Sequence, residues 1–183
     1  MSLEEKGLLS AAIRSATGYL EFGSGGSTQL AHSLMQGPVY AVDSSREWLE
    51  KVSEAVAHDP RVGLLHVNIG PTREWGYPIS KPGPDIARRY HALVWDEIGD
   101  TAKISHVFID GRFRVACFAQ AVLRTQPTTL IMLHDYRRRP IYHIVEEIAA
   151  PVAEIGDLTL FIAKAGAGPR AQEILSAREV DPR

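Results

Sequence analysis

Short apolar segments alternate along this chain with longer segments in which apolar residues recur at helical spacing. The short segments are rich in Val, Ile, Leu and aromatic residues at consecutive positions, as expected of parallel strands that helices cover on both faces. They predict strands at 18–22, 39–43, 62–68, 104–110 and 129–135. The longer segments predict helices at 3–16, 27–36, 45–58, 85–99, 112–125 and 140–148.

The end of the chain departs from this alternation. Two strand-like segments, 152–155 and 158–163, flank Gly156-Asp157, and a two-residue turn of this type is typical of an antiparallel hairpin. We therefore predict an α/β fold with a doubly wound, Rossmann-like, mostly parallel sheet and an antiparallel C-terminal hairpin, in a three-layer αβα sandwich. Residues 1–165 would form a single domain with an N-terminal helix. Residues 166–183 would form a charged tail that frays in part.

Composition narrows the function classes without pointing to one. The 183 residues include 20 Lys and Arg against 22 Asp and Glu, a net charge of −2, and 45% are hydrophobic. A disordered chain or a nucleic-acid binder that works by overall basicity is thereby excluded. Residues 1–6 are acidic, and no apolar segment approaches the ~18 residues of a membrane span, so we expect neither a signal peptide nor membrane association. The single cysteine, Cys117, reads as a small buried residue and favours a reducing, cytoplasmic location.

Polar side chains stand at or near the carboxyl ends of all five predicted strands. In a parallel sheet these ends meet at one edge, where open α/β sheets bind their ligands. Any one of these residues is as often a cap of the following helix. Together they predict a ligand that carries hydroxyl groups, amines or positive charge. The residues are Glu21, Asp43, Asn68, Asp110 and Asp135.

The turn after the first predicted strand is the most specific local feature. Its glycines, in the segment 21–28, permit a tight turn and a close approach of a ligand to the backbone. Asp43 follows Gly23 by 20 residues, a spacing that suits a carboxylate accepting hydrogen bonds from ribose hydroxyls. Thr28 stands where a dinucleotide fingerprint has its third glycine. Together with the predicted hairpin, this argues against NAD.

These residues resemble the class I S-adenosylmethionine-dependent methyltransferases. The segment 21–27 looks like their acidic, glycine-rich first motif, and Asp43 looks like their ribose-binding acidic residue. The segments 108–111 and 133–136 are similar to those of small bacterial O-methyltransferases of the macrocin and caffeoyl-CoA type. The resemblance covers most of residues 17–165. It implies a transferase that uses S-adenosylmethionine to methylate a small molecule, with oxygen as the expected acceptor atom.

The resemblance also implies which residues bind the cofactor. The first motif would line its methionine and ribose end, Asp43 would hold the ribose, residues 68–70 would lie near adenine, and Asp110 would face the methyl-transfer centre. Gly70 is followed by Pro71, where many relatives carry an acidic residue. The implied cofactor-binding residues are Glu21, Gly23, Ser24, Gly25, Asp43, Ser44, Asn68, Ile69 and Asp110.

A catalytic base and a divalent metal are two further hypotheses at the same edge. His134 beside Asp135 is the best candidate base for an oxygen acceptor, and a structural hydrogen bond between them is an equal alternative. His66 and His106 lie inside predicted strands, and we expect them to be core residues. By resemblance to metal-dependent relatives, Asp110 and Asp135 would be two metal ligands, although Arg112 stands where a third acidic or His ligand is expected.

Three further features leave alternatives open. The loop 69–84, with four prolines and three glycines, forbids a regular element, and Trp75 and Tyr77 either form a pocket wall or pin the loop to the surface. The segment Arg137–Arg139 is either a solvated loop or selects an acidic acceptor.

An inactive, methyltransferase-like binding protein and an NAD-dependent oxidoreductase remain alternative functions. A homo-oligomer is compatible with all three.

Overall fold

A computed structural model of the chain describes residues 1–183, with the exception of the Trp75 side chain. Within this part of the chain, seven strands form one sheet: β1 (Tyr19–Phe22), β2 (Val39–Asp43), β3 (Val62–His66), β4 (His106–Ile109), β5 (Leu130–Leu133), β6 (Ala149–Ile155) and β7 (Leu158–Ala163). Their order is β3-β2-β1-β4-β5-β7-β6. The strands β1 to β5 pair parallel, whereas β7 pairs antiparallel with both β5 and β6.

Helices cover both faces of this sheet. The described residues form six α-helices: α1 (Leu3–Ile13), α2 (Gly26–Leu34), α3 (Arg46–Ala55), α4 (Pro84–Ile98), α5 (Arg114–Arg124) and α6 (Gly168–Arg178). Apolar residues of α1 and α2 pack on one face, and apolar residues of α4, α5 and α6 pack on the other. The mostly parallel, Rossmann-like αβα sandwich with an antiparallel C-terminal hairpin is therefore confirmed.

Most predicted elements are present but shorter than their sequence patterns. The third strand ends at His66, so Asn68 and Ile69 lie beyond it. The segment predicted as a helix at 140–148 is a 3₁₀ helix, Pro140–Glu147, and two short 3₁₀ turns occur at Glu74–Gly76 and Thr101–Lys103. The hairpin turn at residues 156–157 is where we predicted it.

The expectation that the tail frays is wrong for residues 168–178, which form α6. Pro169 occupies the first turn of this helix, where its missing N–H leaves no hydrogen bond unmade. Ala171, Ile174 and Leu175 are buried on one face, and α6 packs along α5. Of the helices that the structure describes, none has the length and apolar character that a membrane crossing requires.

The chain reverses its winding direction between β1 and β4, which are neighbours in the sheet. A crevice opens at such a position in doubly wound sheets, because the connections leave the two strands in opposite directions. Here the loops after β1 and β4 contact each other closely. A Cβ atom on Gly23 would lie 2.6 Å from Gly111 Cα, and one on Gly111 would lie 2.3 Å from the Tyr90 hydroxyl.

Candidate functional site

The glycine-rich loop after β1 forms the floor of the site. Gly23 has a φ of 98°, which L-residues with side chains rarely adopt, and its N–H donates to Val42 O at 2.8 Å. Gly25 then precedes the first residue of α2. The loop thus holds backbone N–H groups at the start of a helix, an arrangement that suits a polar ligand.

Glu21 lies beneath this loop and is fully buried. Its carboxyl accepts hydrogen bonds from the hydroxyls of Ser27, Thr28 (2.8 Å) and Tyr19 (3.3 Å). Burial raises its pKa to about 8, although the hydroxyl donors act in the opposite direction. Thr28 also accepts from Gly25 N at 3.0 Å, so the carboxyl is linked to the loop backbone through one hydroxyl. Glu21 is not among the residues that line the cavity described next.

A cavity of about 800 Å³ opens above the loop. It is bordered by the glycine loop, by the end of β2 and by the loop after β4. Trp48 of α3 forms part of its wall, and the indole Nε1 donates to Ser24 O at 2.6 Å. Its lining residues include Met1, Gly23, Ser24, Gly25, Gly26, Ser27, Asp43, Ser44, Ser45, Trp48, Thr72, Gly76, Tyr90, Asp110, Gly111 and Arg112.

Asp43 is tied to the glycine loop across the cavity floor. Its Oδ2 accepts from Ser24 N at 2.9 Å and from Ser24 Oγ at 3.2 Å, and its Oδ1 accepts from Ser45 N at 2.9 Å. A carboxylate oxygen has more than one lone pair, so this carboxylate can also accept from a bound hydroxyl. Asp43, Ser44 and the loop residues Gly23, Ser24 and Gly25 are thus brought together around one space.

Asn68 and Ile69 take a different position from these residues. The Asn68 side chain is exposed and accepts from Gly70 N at 2.9 Å, which closes a local turn. Ile69 is buried in the core. Neither residue is among those that line the cavity, so their predicted contact with adenine stays a prediction.

A row of ionisable groups runs from Asp110 into the protein. His134 Nδ1 lies 3.1 Å from Asp110 Oδ1, and His134 Nε2 lies 3.6 Å from Glu5 Oε2. Burial alone would lower the pKa of His134, but Asp110, Asp135 and Glu5 together raise it above its ordinary value. Burial would likewise raise the pKa of Asp110, and His134 and Arg114 lower it instead. Asp110 lines the cavity, whereas His134 and Asp135 do not.

Arg114 forms ion pairs with the carboxylates of both Asp110 and Asp135. This buried guanidinium lies 3.1 Å from Asp110 Oδ1 and 3.2 Å from Asp135 Oδ2, and Arg139 Nη2 lies 2.8 Å from the same Asp135 oxygen. One carboxylate oxygen of Asp110, one of Asp135 and one ring nitrogen of His134 all lie within 4.8 Å of one another. A divalent ion placed there would face fixed positive charges that already neutralise both carboxylates. The donor set therefore does not fit the metal that Asp110 and Asp135 were expected to hold.

The proline-rich loop reaches across the sheet edge to the loops after β4 and β5. The Arg112 guanidinium carbon lies 4.0 Å from the centre of the Tyr77 ring, and Arg139 Nη1 donates to the Tyr77 hydroxyl at 2.8 Å. Burial would raise the pKa of Tyr77, yet the two adjacent guanidinium groups lower it overall. The side chain of Trp75, the other residue expected in a pocket wall, lies outside the described part of the structure.

The other residues that the sequence singled out are Arg137–Arg139 and Cys117, and they differ in exposure. Arg137 and Arg138 are exposed and pair with Glu154 and Asp157, as in a solvated loop, and only Arg139 turns inward. Cys117 is fully buried, as expected.

The two strand histidines differ from each other. His106 is buried and lies within hydrogen-bond distance of Ser15 and Ser105. His66 is wrong as a core residue, because β3 is an edge strand that leaves it half-buried beside Arg46.

Sequence reasoning missed several residues of this site. Glu5 comes from α1 and lies 152 positions before the backbone N–H of Asp157 that it accepts. No local pattern marks such a long-range contact. Trp48 is exposed on α3 beside the buried Leu49, and Arg112 and Arg114 have no distinctive spacing. Only the position of the two arginines directly after β4 offered a signal.

The chain is similar to proteins of one structural class. A methyltransferase-like protein from Silicibacter pomeroyi DSS-3 has 31% sequence identity and a TM-score of 0.87, and the alignment covers 100% of this chain and 96% of that one. No protein-family model matches the chain, and no curated protein sequence matches it.

Two more distant structures share the fold alone. A precorrin-6y C5,15-methyltransferase from Geobacter metallireducens GS-15 has 14% identity and a TM-score of 0.52, with 88% of this chain and 87% of that chain covered. An RNA methyltransferase from Salinibacter ruber, in complex with S-adenosyl-L-homocysteine, has 11% identity and a TM-score of 0.50, with 88% and 90% covered.

Proposed function

This chain belongs to the methyltransferase-like proteins, and from that premise we propose that it binds S-adenosylmethionine and methylates an oxygen atom of a small molecule. One observation carries the proposal: the glycine loop, Asp43 and Asp110 border a single cavity. The cavity lining includes six of the nine residues for which the sequence resemblance implied cofactor contacts, and Glu21, Asn68 and Ile69 are not among them. The cavity lies at the reversal of winding between β1 and β4, where doubly wound sheets bind their ligands.

In this proposal the chain's residues mainly bind and orient. The backbone of the glycine loop approaches the methionine end of the donor, and Asp43 accepts from the ribose hydroxyls. Asp110, on the opposite side of the loop, orients the acceptor hydroxyl. S-adenosylmethionine supplies an already activated methyl group, so holding donor and acceptor in line is the larger part of the task.

Removal of the acceptor proton is assigned to the pair of Asp110 and His134. Asp110 receives the proton from the acceptor hydroxyl and passes it to His134 Nδ1 at 3.1 Å. The protonated imidazole is then stabilised by Asp110 and Glu5 on its two sides. Asp135 does not contact the acceptor in this scheme and holds Arg114 and Arg139 in place.

A catalytically inactive binding protein is the second candidate, and one observation favours it. The two residues predicted from sequence as catalytic, His134 and Asp135, do not line the cavity. Transfer of label from methyl-labelled S-adenosylmethionine to the small-molecule fraction of a cell extract separates the candidates. An enzyme gives transfer that Asp110→Asn abolishes, and a binding protein gives none.

Ligand-dependent thermal unfolding tests the binding step. S-adenosylmethionine and S-adenosylhomocysteine, each at about 100 times its Kd, should add roughly 2.7 kcal/mol to the free energy of unfolding. NAD at the same concentration should add nothing. No stabilisation by the first two ligands, or an equal stabilisation by NAD, contradicts the proposal.

The Asp43→Asn variant tests the site itself. It keeps the size of the side chain but removes the charge that would receive the ribose hydroxyls, so the affinity for S-adenosylhomocysteine should fall roughly tenfold to a hundredfold. Asp96→Asn, an exposed change on α4, is the matched control and should leave the affinity unchanged. Equal affinity of the two variants would show that the ribose lies elsewhere.

A further inference from the structure

Arg112 has a buried guanidinium group, and one of its nitrogens lacks a hydrogen-bond partner. Only 6% of the residue is exposed, and it lines the cavity next to Asp110 and Gly111. Its Nη1 is shielded from solvent and has no hydrogen-bond partner in the described part of the chain. No carboxylate of those residues lies within 4.0 Å of its side chain either. The face of the Tyr77 ring stabilises the positive charge, but Nη1 is left without an acceptor.

The neighbouring Arg114 shows how this protein satisfies a buried guanidinium. Arg114 donates to the backbone oxygens of Gly111, His134 and Asp110 at 2.7–3.0 Å, and it pairs with the carboxylates of Asp110 and Asp135. Burying a charge without such partners is strongly unfavourable. The difference between the two arginines therefore marks Arg112 as a group whose partner comes from outside the chain.

The charges around Arg112 do not neutralise it. Arg114 and Arg139 both pair with Asp135, and Arg114 also pairs with Asp110. Arg114, Arg139, Asp110 and Asp135 thus pair among themselves, and Arg112 takes no part in these ion pairs. The Tyr77 hydroxyl accepts a hydrogen bond from Arg139. A protonated tyrosine hydroxyl carries no negative charge, so Tyr77 does not balance the charge of Arg112.

We propose that Arg112 binds an anionic group, a carboxylate or a phosphate, of the methyl acceptor. A planar guanidinium with a free N–H matches either anion by paired hydrogen bonds. The inference rests on the proposed function, since it names the class of acceptor for that site. Arg139, held by Tyr77 and Tyr142, keeps the Tyr77 ring stacked beneath the guanidinium.

S-adenosylmethionine also carries a carboxylate, which Arg112 could in principle bind. The position of Arg112 assigns it to the acceptor and not to this donor. The order of strands places the end of β2, with Asp43, on one side of the glycine loop and the end of β4 on the other. Arg112 and Arg139 belong to the loops that follow β4 and β5, and Tyr77 contacts both arginines. A donor bound from Asp43 to Asp110 leaves these three residues on the acceptor side.

Inorganic phosphate and S-adenosylhomocysteine, used as separate probes on the full chain, test the inference. At constant ionic strength, phosphate should raise the Tm of the wild type, both alone and with saturating S-adenosylhomocysteine. Arg112→Gln should weaken phosphate binding at least tenfold and bind S-adenosylhomocysteine as the wild type does. Arg89→Gln, an exposed change on α4, should retain both responses. Arg112→Lys, which keeps the charge but loses the planar fork, should give an intermediate phosphate affinity and provides a second variant if the first unfolds.

The remaining outcomes each decide the question. A wild type that does not respond to phosphate, or an Arg112→Gln variant that responds fully, overturns the inference. If Arg112→Gln weakens S-adenosylhomocysteine but not methylthioadenosine, which lacks the amino-acid carboxylate, then Arg112 holds the donor and the acceptor assignment is wrong. If the wild type binds phosphate through Arg112 but binds no S-adenosylhomocysteine, the proposed function fails and the anion site stands.

Discussion

At the scale of single residues, Glu21 shows what burial does to a carboxyl group that the sequence pattern predicts as a ligand contact. The pattern placed Glu21 among the ligand-binding residues; in the structure it is buried under the loop and does not line the cavity. With a pKa of about 8, the carboxyl is mostly protonated at neutral pH. An uncharged acid that accepts from Ser27 and Thr28 fixes the loop without placing a buried negative charge beside the cavity.

Replacing Glu21 by Gln should remove a pH dependence of stability. The folded-state pKa of Glu21 lies above the ordinary value of 4.5, so its contribution to stability is fully present below pH 4.5 and is lost as the pH rises through 8. At about 1.4 kcal/mol per pKa unit, the loss amounts to several kcal/mol. Denaturant unfolding between pH 5 and 9 should therefore show Glu21→Gln gaining stability relative to the wild type as the pH rises. Parallel curves for the two proteins would mean that Glu21 is ionised in the fold.

At the scale of elements, the alternation of apolar segments and the turn residues predict which elements form, but not where each element begins and ends. The five parallel strands and the Gly156-Asp157 hairpin follow from apolar segments and turn residues, which are local signals. The 3₁₀ geometry of Pro140–Glu147 depends on packing against β6 and α5, which no local pattern reports. In α6, the spacing of Ala171, Ile174 and Leu175 is helical, but glycines and charges before and around it conceal the pattern.

The residues of the site also differ in whether the sequence predicts them. Gly23, Asp43 and Asp110 could be predicted because each follows a strand, and the topology alone brings those ends to one edge. Glu5 and Arg112 could not, because the contacts that define them join segments far apart in the chain. The metal hypothesis for Asp110 and Asp135 considered the carboxylates without Arg114, whose side-chain direction the sequence does not reveal.

The helix α6 should contribute to stability as part of the core. Ile174 is 1% exposed against α5, so Ile174→Ala should lower the free energy of unfolding by about 2–5 kcal/mol through lost burial and the cavity left behind. Gln172→Ala, a change at an exposed position of the same helix, is the control and should alter the free energy of unfolding by less than about 0.5 kcal/mol. Urea unfolding measures both. Equal, small effects would mean that α6 detaches in solution and that the tail frays after all.

At the scale of the whole molecule, three distant segments meet behind the cavity. Glu5 of α1 accepts from Asp157 N in the turn between β6 and β7 at 2.7 Å, and its other oxygen lies 3.6 Å from His134 after β5. Met1 borders the cavity itself. The N-terminal helix is therefore not a mere addition to the sheet, because its first turn sets the charge next to His134.

Removing the charge of Glu5 should lower the pKa of His134. Burial opposes protonation of this imidazole, and the negative charges of Asp110, Asp135 and Glu5 overcome it. Glu5→Gln keeps an oxygen for the Asp157 N–H and deletes one of these charges. NMR titration of the His134 ring, assigned with His134→Gln, should give a lower pKa in Glu5→Gln than in the wild type. Glu4→Gln, an exposed neighbouring change, should leave it unaltered.

The same substitution has consequences for stability and for turnover. Because the folded-state pKa of His134 is raised, its contribution to stability is present below about pH 6.5 and is lost as the pH rises through the folded value. Glu5→Gln should reduce that contribution at acid pH. If neutral His134 accepts the proton from Asp110, the rise of activity with pH should also move to lower pH in Glu5→Gln. A lower imidazole pKa with an unmoved activity profile would separate His134 from the proton transfer and leave it a structural partner of Asp110.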